Sequence, residues 1–212
     1  MKIGVIGSGP VAQTLGSGFL KHGHEVMLGS RDPKKLDEWS SKNAKGKKGT
    51  FVEAAKFGEL IVLAVKGNQA AAALKAAGHE NINGKTVIDT GNPIADAPPT
   101  NGALAYFTSY NESLMERLQK DVPGARFVKA FNSCGAPMMV DPKFKDRPTM
   151  FICGNDDGAK AQVGGILEQF GWETADMGKA EIARAIEPLC MLWCAPGLAK
   201  NDWSPRAFKL LK

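Results

Sequence analysis

Short apolar runs rich in valine and isoleucine recur along the chain and alternate with longer segments of helical periodicity. Several of these runs are apolar at nearly every position, as in residues 2–6 and 60–65. Strands of this kind are covered on both faces, which is typical of a parallel sheet with helices on either side. The pattern predicts six strands, over residues 2–6, 25–29, 60–65, 85–89, 126–131 and 149–154.

The segments between these strands carry helix signals. Apolar residues recur at four-residue spacing within residues 11–22, and Asp32 and Pro33 supply an N-cap and a first helical position for the next helix. Further helices are predicted over residues 111–120, 156–170 and 180–195. This alternation predicts an α/β fold, a doubly wound, mostly parallel sheet of the Rossmann type with a C-terminal helical extension.

Two segments interrupt the alternation. Residues 91–105 combine prolines with small turn residues and predict a long loop after a strand. Loops at the carboxyl ends of parallel strands border the ligand crevice, so we expect this loop to be functional. The basic run Lys42–Lys48 is interpreted as a solvated turn rather than as a nucleic-acid surface.

Composition narrows the class of protein. A chain of 212 residues, 43% hydrophobic and 23% charged, suits a single soluble domain, and its net charge of +5 is compatible with phosphate-bearing ligands. Because there is no signal-peptide pattern and no apolar run near the ~20 residues that span a bilayer, we expect a cytoplasmic protein without membrane or nucleic-acid partners.

The cysteines and histidines show no metal-ligand spacing, so no metal site is predicted. Cys190 and Cys194 would share one face of the last helix, where buried thiols are favoured over a disulfide or a metal pair. The other members of this set are Cys134, Cys153, His22, His24 and His79.

The N-terminal segment KIGVIGSGPVAQTLG places the pattern Gly7-x-Gly9-x-x-Ala12 between a strand and a helix. In dinucleotide-binding folds the first glycine permits the tight turn, the second lets the backbone approach a pyrophosphate, and the third small residue brings helix and strand together. Pro10 removes one N–H donor, which leaves the amides of Ser8, Val11 and Ala12 to face the phosphates.

The second strand ends in Gly29-Ser30-Arg31, where an NAD site would carry a carboxylate for the ribose hydroxyls. We interpret Gly29 as leaving room for a 2′-phosphate, with Ser30 and Arg31 binding it and Lys35 adding a charge one turn later. These residues favour NADPH over NADH. In the alternative, the segment only caps the next helix and Arg31 is solvated, which explains Asp32 but not Gly29 and Arg31 together.

The segments GVIGSGPVAQTLG, GHEVMLGSRDPKK, IVLAVK, FICGNDD and RAIEPLCMLW resemble the NADPH:coenzyme F-420 (8-hydroxy-5-deazaflavin) oxidoreductase family over essentially the full chain. The chain is also similar to the cytosolic oxidoreductase domain of the six-transmembrane metalloreductases at Gly91–Pro93 and Val128–Asn132, and those enzymes reduce a flavin. The segment KAFNSCGAP departs from the deazaflavin-linked enzymes, which leaves the acceptor open between the two ring systems.

The resemblance implies which residues contact NADP(H). Ser30, Arg31 and Lys35 would hold the 2′-phosphate, and the cleft would run past Lys66 to Asn92 near the nicotinamide ribose and Asn132 near the nicotinamide. Both asparagines could fix the carboxamide, and both are equally compatible with a role in a turn. Phe131 is equally compatible with a core position and with a ring-stacking platform. The complete predicted set is Gly7, Ser8, Gly9, Pro10, Val11, Ser30, Arg31, Lys35, Ala64, Val65, Lys66, Asn92, Pro93, Ala130 and Asn132.

Hydride transfer between two stacked rings requires orientation and desolvation rather than a side-chain acid or base. We therefore predict no catalytic side chain, with Lys66 and Asn132 as weak candidates and Tyr106 and Cys134 as further proton donors if the acceptor were a carbonyl. The alternatives are an NADPH-dependent reductase of a small imine or carbonyl substrate and an NADPH-sensing protein without turnover.

Domain organisation follows from the same pattern. Residues 1–178 are predicted to form the NADP-binding domain, and residues 179–212 a helical segment that docks on it or on a second subunit. The resemblance implies a homodimer formed through the C-terminal region, and the apolar stretch 182–198 needs cover.

Overall fold

The computed structural model describes residues 1–211 and contains one eight-stranded sheet. Its strands are β1 (Lys2–Ile6), β2 (Glu25–Gly29), β3 (Lys47–Gly49), β4 (Leu60–Leu63), β5 (Thr86–Asp89), β6 (Arg126–Lys129), β7 (Thr149–Gly154) and β8 (Glu173–Asp176), in the order β3-β2-β1-β4-β5-β6-β7-β8. All neighbouring pairs are parallel except β6 and β7, where Val128 pairs with Gly154 and Lys129 with Cys153 in antiparallel register. The predicted α/β, mostly parallel Rossmann sheet is therefore confirmed.

Residues 1–211 form eight α-helices. They are α1 (Pro10–Lys21), α2 (Asp37–Lys42), α3 (Phe51–Phe57), α4 (Ala70–Ala77), α5 (Leu114–Asp121), α6 (Asp157–Gln169), α7 (Ala183–Ile186) and α8 (Pro188–Lys200). The predicted helix after Asp32 begins as a 3-10 turn over Pro33–Leu36 before it continues as α2. Residues 91–105 contain neither helix nor strand, as predicted for a long loop.

Strand β4 shows why its sequence is apolar throughout. Leu60 and Val62 pack into the core on the face covered by α1 and α6, while Ile61 and Leu63 pack into the core on the face covered by α4 and α5. A strand buried on both faces has no position left for a polar residue. The same double burial explains why all six predicted strands are present.

Strands β3 and β8 were not predicted, and the interpretation of Lys42–Lys48 as a solvated turn is wrong for its last two residues. Lys47 and Lys48 pair with Met27 and Leu28 of β2. Both missed strands lie at the ends of the sheet order, where side chains are exposed and the backbone pairing alone defines the strand. Their polar sequences therefore lack the apolar signature of the central strands.

The C-terminal segment docks on the sheet domain. After the 3-10 turn Ala180–Ile182, helices α7 and α8 lead into an extended tail. There the N–H of Thr149 donates to the Phe208 carbonyl (2.9 Å), and the N–H of Leu210 donates to the Thr149 hydroxyl (3.1 Å). The tail thus pairs with the first residue of β7. Lys212 lies outside the described residues.

The expectation that no apolar stretch approaches the length of a membrane span needs correction. Ala180–Lys200 contains 21 residues and is long and apolar enough to cross a bilayer, by length and composition only. In the fold this stretch binds the domain through charged side chains, because Arg184 pairs with Glu116 of α5 and Glu187 is buried beside Lys129 of β6. All four cysteines are free thiols, with Cys190 buried and Cys194 half-buried.

Candidate functional site

A continuous cleft crosses the carboxyl ends of β1, β2, β4 and β5. It consists of two adjoining cavities of about 280 and 690 Å³ that share Gly9, Ala64, Val65 and Lys66. The first cavity lies over the ends of β1 and β2, and the second lies under the long loop that follows β5. The cleft residues absent from the prediction are Asp32, Phe51, Gln69, Ala72, Ala73 and Ala76 in the first cavity and Gly67, Thr90, Gly91, Ile94, Ala95, Asp96, Ala97 and Pro98 in the second.

The glycine-rich loop joins β1 to α1 with two differently constrained glycines. Gly7 has a φ of 149°, and a Cβ there would lie 2.2 Å from the Ala64 carbonyl oxygen. At Gly9 a Cβ would meet nothing within 4 Å, because the space above this residue belongs to the cleft. Gly7 is therefore required by the fold, whereas Gly9 keeps the cleft open next to the backbone.

Helix α1 presents its amino end to the cleft. Gly9 is the N-cap and provides no capping side chain, and the first hydrogen bond of the helix runs from the Gln13 N–H to the Gly9 carbonyl (3.0 Å). The N–H groups of Val11 and Ala12 precede that bond, so they have no acceptor within the helix. The Gln13 side chain also donates to the Ser8 carbonyl (2.9 Å) and fixes the loop. This arrangement suits a phosphate group.

Ser30 links the end of β2 to the glycine-rich loop. Its side chain is buried, its hydroxyl lies 3.3 Å from the Ser8 hydroxyl, and it accepts a hydrogen bond from the Asp32 N–H (3.2 Å). Asp32 in turn caps the following turn by accepting from the Lys34 N–H (3.1 Å), as predicted. The two hydroxyls line the same cavity.

The predicted reason for Gly29 is wrong. Gly29 does not line the cleft; a Cβ at this position would lie 2.8 Å from both the Ala54 Cβ and the Thr50 carbonyl oxygen. The glycine therefore allows α3 to pack closely on β2. Because Gly29 lies immediately before Ser30, the sequence was equally compatible with a glycine required by ligand binding.

Three exposed cations line the cleft: Arg31, Lys35 and Lys66. Within residues 1–211 none of their side chains forms an ion pair or a hydrogen bond. Arg31 and Lys35 lie at the Ser30 end, and Lys66 lines both cavities. Unpaired cations converging on one cavity create a positive potential that suits a phosphorylated ligand.

The wall of the second cavity is built from paired asparagines. The Asn92 side-chain amide donates to the Asn132 carbonyl (3.0 Å), and the Asn132 amide donates to the Asn92 Oδ1 (3.1 Å) and to the Ile186 carbonyl (2.9 Å). Asn92 lines the cavity, whereas Pro93, Ala130 and Asn132 are buried behind it. The other twelve predicted cofactor-binding residues line the cleft: Gly7, Ser8, Gly9, Pro10, Val11, Ser30, Arg31, Lys35, Ala64, Val65, Lys66 and Asn92.

Phe131 belongs to the core and not to a stacking platform. It is fully buried, and its ring lies 6.0 Å from that of Phe170. Its φ of 62° is unusual for a residue with a large side chain. This backbone turn ends β6 and brings the following residue, Asn132, against Asn92. Local strain of this kind is characteristic of functional sites.

A buried ionic cluster, which the sequence prediction missed, supports this wall from behind. The Lys129 Nζ lies 2.7 Å from Asp89 Oδ2, 2.9 Å from Glu187 Oε1 and 2.8 Å from the Gly91 carbonyl oxygen, and all three charged side chains are at most 2% exposed. Burial alone would lower the pKa of Lys129, but the two carboxylates outweigh it and keep that pKa above its usual value. The sequence offered one signal for this cluster, a charged residue at the end of each of two apolar strands, Asp89 in β5 and Lys129 in β6.

Two of the proton donors considered in the sequence analysis, Tyr106 and Cys134, lie in other parts of the structure and do not line the cleft. The Tyr106 hydroxyl donates to the Glu187 carbonyl (2.9 Å), and burial raises the pKa of this phenol far above its usual value. Burial raises the pKa of the Cys134 thiol to about 12. Lys66 and Asp96 are the titratable side chains of the described chain that line the second cavity, and Asp96 accepts a hydrogen bond from Asn68 (2.7 Å).

Comparison with known proteins shows what this chain is similar to. Residues 2–93 match the family described as NADP oxidoreductase, coenzyme F420-dependent. A crystal structure of a putative F420-dependent NADP-reductase from Arthrobacter sp. FB24 superimposes with a TM-score of 0.93 at 32% identity, covering 100% of both chains.

Two further relatives are less similar in sequence than this structure, and one of them is much longer than this chain. The F420-dependent NADP reductase of Methanocaldococcus jannaschii is 27% identical over 207 residues, covering 91% of this chain and 90% of the relative. Metalloreductase STEAP3 of Rattus norvegicus is 30% identical over 203 residues, covering 93% of this chain. The chain spans 38% of the length of that metalloreductase.

Proposed function

We propose, for a chain that belongs to the coenzyme F420-dependent NADP oxidoreductase family, that it transfers hydride between NADP(H) and a deazaflavin or flavin-like ring. Because it belongs to this family, the protein is an NADP-dependent oxidoreductase. The proposal concerns the identity of the hydride acceptor. The observation that carries the proposal is that two cavities adjoin along Gly9, Ala64, Val65 and Lys66. The first holds the exposed cations Arg31 and Lys35, and the second lies under the loop after β5 and has mostly apolar walls.

The geometry of the first cavity supports an NADP(H) orientation. The 2′-phosphate would lie against Ser30, Arg31 and Lys35, and the pyrophosphate against Gly9 and the amino end of α1. The nicotinamide would then extend past Lys66 into the second cavity. Asn92 is the predicted amide that faces the ring there, because Asn132 is used in holding Asn92.

The second cavity supports a planar ring as the acceptor. Val11, Ile94, Ala95, Ala97 and Pro98 give it apolar walls, which would exclude water from two stacked rings. Tyr106 and Cys134 do not line this cavity, so a carbonyl or imine substrate would have to rely on Lys66 for a proton. Ring-to-ring hydride transfer requires no such donor.

Stopped-flow mixing of the NADPH-loaded protein with a panel of acceptors tests the proposal. We expect rapid oxidation of NADPH by deazaflavins or flavins, and slow or no oxidation by quinones, small ketones and imines. Turnover of a small carbonyl or imine that depends on Lys66 would contradict the proposed acceptor. Tight binding of NADPH without oxidation by any acceptor would favour a nucleotide sensor instead.

The second subunit and the compartment are part of the same proposal. Helix α8 exposes Leu192, which is 61% exposed, next to the half-buried Met191 and Trp193. A second copy of the chain would cover this apolar face through a symmetric contact.

We place the protein in the cytoplasm, where its nucleotide substrate is available.

A further inference from the structure

The ammonium of Lys129 is surrounded by three oxygen atoms. It donates a hydrogen bond to the carbonyl oxygen of Gly91 (2.8 Å) and forms ion pairs with Asp89 Oδ2 (2.7 Å) and Glu187 Oε1 (2.9 Å). The cluster is removed from solvent, since the Lys129 and Asp89 side chains are 0% exposed.

Gly91 is held at both its polar groups by this cluster. Its N–H donates to Asp89 Oδ1 (2.8 Å), and its carbonyl accepts from Lys129. Gly91 lines the second cavity directly before Asn92. The orientation of this peptide therefore determines where the Asn92 side chain begins.

Glu187 connects the same cluster to two helices. Its Oε2 accepts from the Leu114 N–H (3.0 Å) and its Oε1 from the Met115 N–H (3.1 Å), which places a carboxylate on the amino end of α5. Its backbone carbonyl accepts from Tyr106, and the carbonyl before it accepts from Asn132. The C-terminal segment thus contributes directly to the support of the wall.

A buried pair of opposite charges contributes little net stability compared with well-packed apolar residues, so its presence calls for another reason. Resting on the proposed function, we infer that Lys129 is a positioning residue for hydride transfer: it fixes the Gly91 peptide and so holds Asn92 against the nicotinamide. Its neighbours Asp89 and Glu187 keep it charged and in place. Lys129 itself does not touch the cofactor.

The test replaces the cation by an unbranched apolar side chain that is one atom shorter, as Lys129→Met. We expect the variant to bind NADPH within about threefold of the wild type, because the phosphate contacts at the other end of the cleft are untouched. The hydride-transfer rate should fall about 100-fold, the typical effect of a reacting group displaced by roughly 1 Å. The fluorescence anisotropy and lifetime of the bound dihydronicotinamide should fall towards the values of free NADPH.

Arg184→Met is the matched control, because it removes a cation that joins the same C-terminal segment to Glu116 of α5 without contacting the cleft wall. It should retain the rate and the fluorescence of the wild type. If Lys129→Met does not fold, the double variant Lys129→Met with Asp89→Asn removes one of the two carboxylates left without a cation, keeps an acceptor for the Gly91 N–H and is measured in the same way.

A folded Lys129 variant with wild-type transfer and fluorescence would overturn the inference. Equal losses in binding and transfer would also overturn it, since they would indicate a general structural role. The fluorescence measurement separates this inference from the proposed function: if no acceptor oxidises the wild-type complex, the acceptor proposal fails, while the difference in nicotinamide mobility still tests Lys129.

Discussion

The hydroxyls of Ser8 and Ser30 lie 3.3 Å apart and join the glycine-rich loop after β1 to the end of β2. These two segments form the end of the cleft where we propose that the phosphates bind, with Arg31 and Lys35 beside them. The separation is fixed by the sheet, since Ile6 is paired with Gly29 one residue before each segment begins to turn. The groups proposed to recognise the ligand at this end therefore follow directly from adjacent strands.

Arg31→Ala should weaken NADPH binding by about 1.5–3 kcal/mol, the range for hydrogen bonds to charged groups, and leave NADH binding nearly unchanged. The guanidinium has no partner within residues 1–211, so its removal should cost the fold little. Isothermal titration with both nucleotides measures the difference. Lys34→Ala is the control, because Lys34 is an exposed cation three residues away that does not line the cleft. Equal losses for NADPH and NADH would contradict the assigned role.

Gly9→Ala should separate binding from stability. A Cβ at Gly9 meets no protein atom within 4 Å, and its backbone φ of −79° suits alanine, so the unfolding free energy should hardly change. The methyl group would project into the space next to the amino end of α1, where the pyrophosphate is expected. We expect markedly weaker binding of both NADPH and NADH by titration, with an unchanged urea midpoint. Wild-type affinity in this variant would place the pyrophosphate elsewhere.

Gly29→Ala should have the opposite effect. Its methyl group would overlap Ala54 and the Thr50 carbonyl, and overpacking of this kind costs about 1–3 kcal/mol of unfolding free energy. Urea denaturation measures that loss. Gly165→Ala is the matched control: this residue is exposed within α6 and a Cβ there meets nothing, so the helix should gain about 0.5–1 kcal/mol. A stable Gly29 variant with reduced NADPH affinity would restore the ligand-related interpretation.

These positions show how far the sequence could lead. The turn at Gly7 and Gly9, the central strands and the cations Arg31 and Lys35 follow from local patterns, because each is determined by a short segment. Gly29 was misinterpreted because the helix that packs on it, α3, is contributed by residues 51–57, which the sequence analysis did not identify as a helix. The edge strands were missed because pairing, and not burial, defines them.

The ionic cluster lay beyond sequence reasoning for a different reason. Asp89, Lys129 and Glu187 are separated by 40 or more residues, and only the pairing of β5 with β6 and the docking of α8 bring them together. The positive φ of Phe131 also results from tertiary structure, because nothing in the adjacent sequence requires a left-handed residue at this position. Long-range convergence of polar groups was therefore the unpredicted part of the site.

The stability of the protein at acidic pH should depend on the ion pair between Glu116 and Arg184. The bidentate Arg184 guanidinium (2.9 and 2.5 Å) lowers the pKa of this carboxyl from 4.5 to about 2. A carboxyl whose folded pKa is lowered contributes stability above its unfolded pKa, and that contribution is lost as the pH falls from about 4.5 towards 2. Glu116→Gln preserves the capping box with Ser113 but removes the charge. The variant should be less stable than the wild type above pH 4.5, and the two urea midpoints should converge near pH 2. A constant difference across this range would show that the ion pair does not carry the effect.

Leu192→Asp should convert the proposed dimer into a monomer. Leu192 is the most exposed large apolar residue of α8, and a carboxylate in the centre of a symmetric contact would be repeated on both subunits, so two charges would be buried close together. Sedimentation equilibrium of the wild type and the variant measures the change in mass. Met177→Asp is the control, because Met177 is exposed and apolar but lies beyond β8, away from α8 in sequence. A wild-type monomer at micromolar concentration, or a Leu192 variant that remains dimeric, would remove α8 as the interface and would leave its apolar face to a different partner.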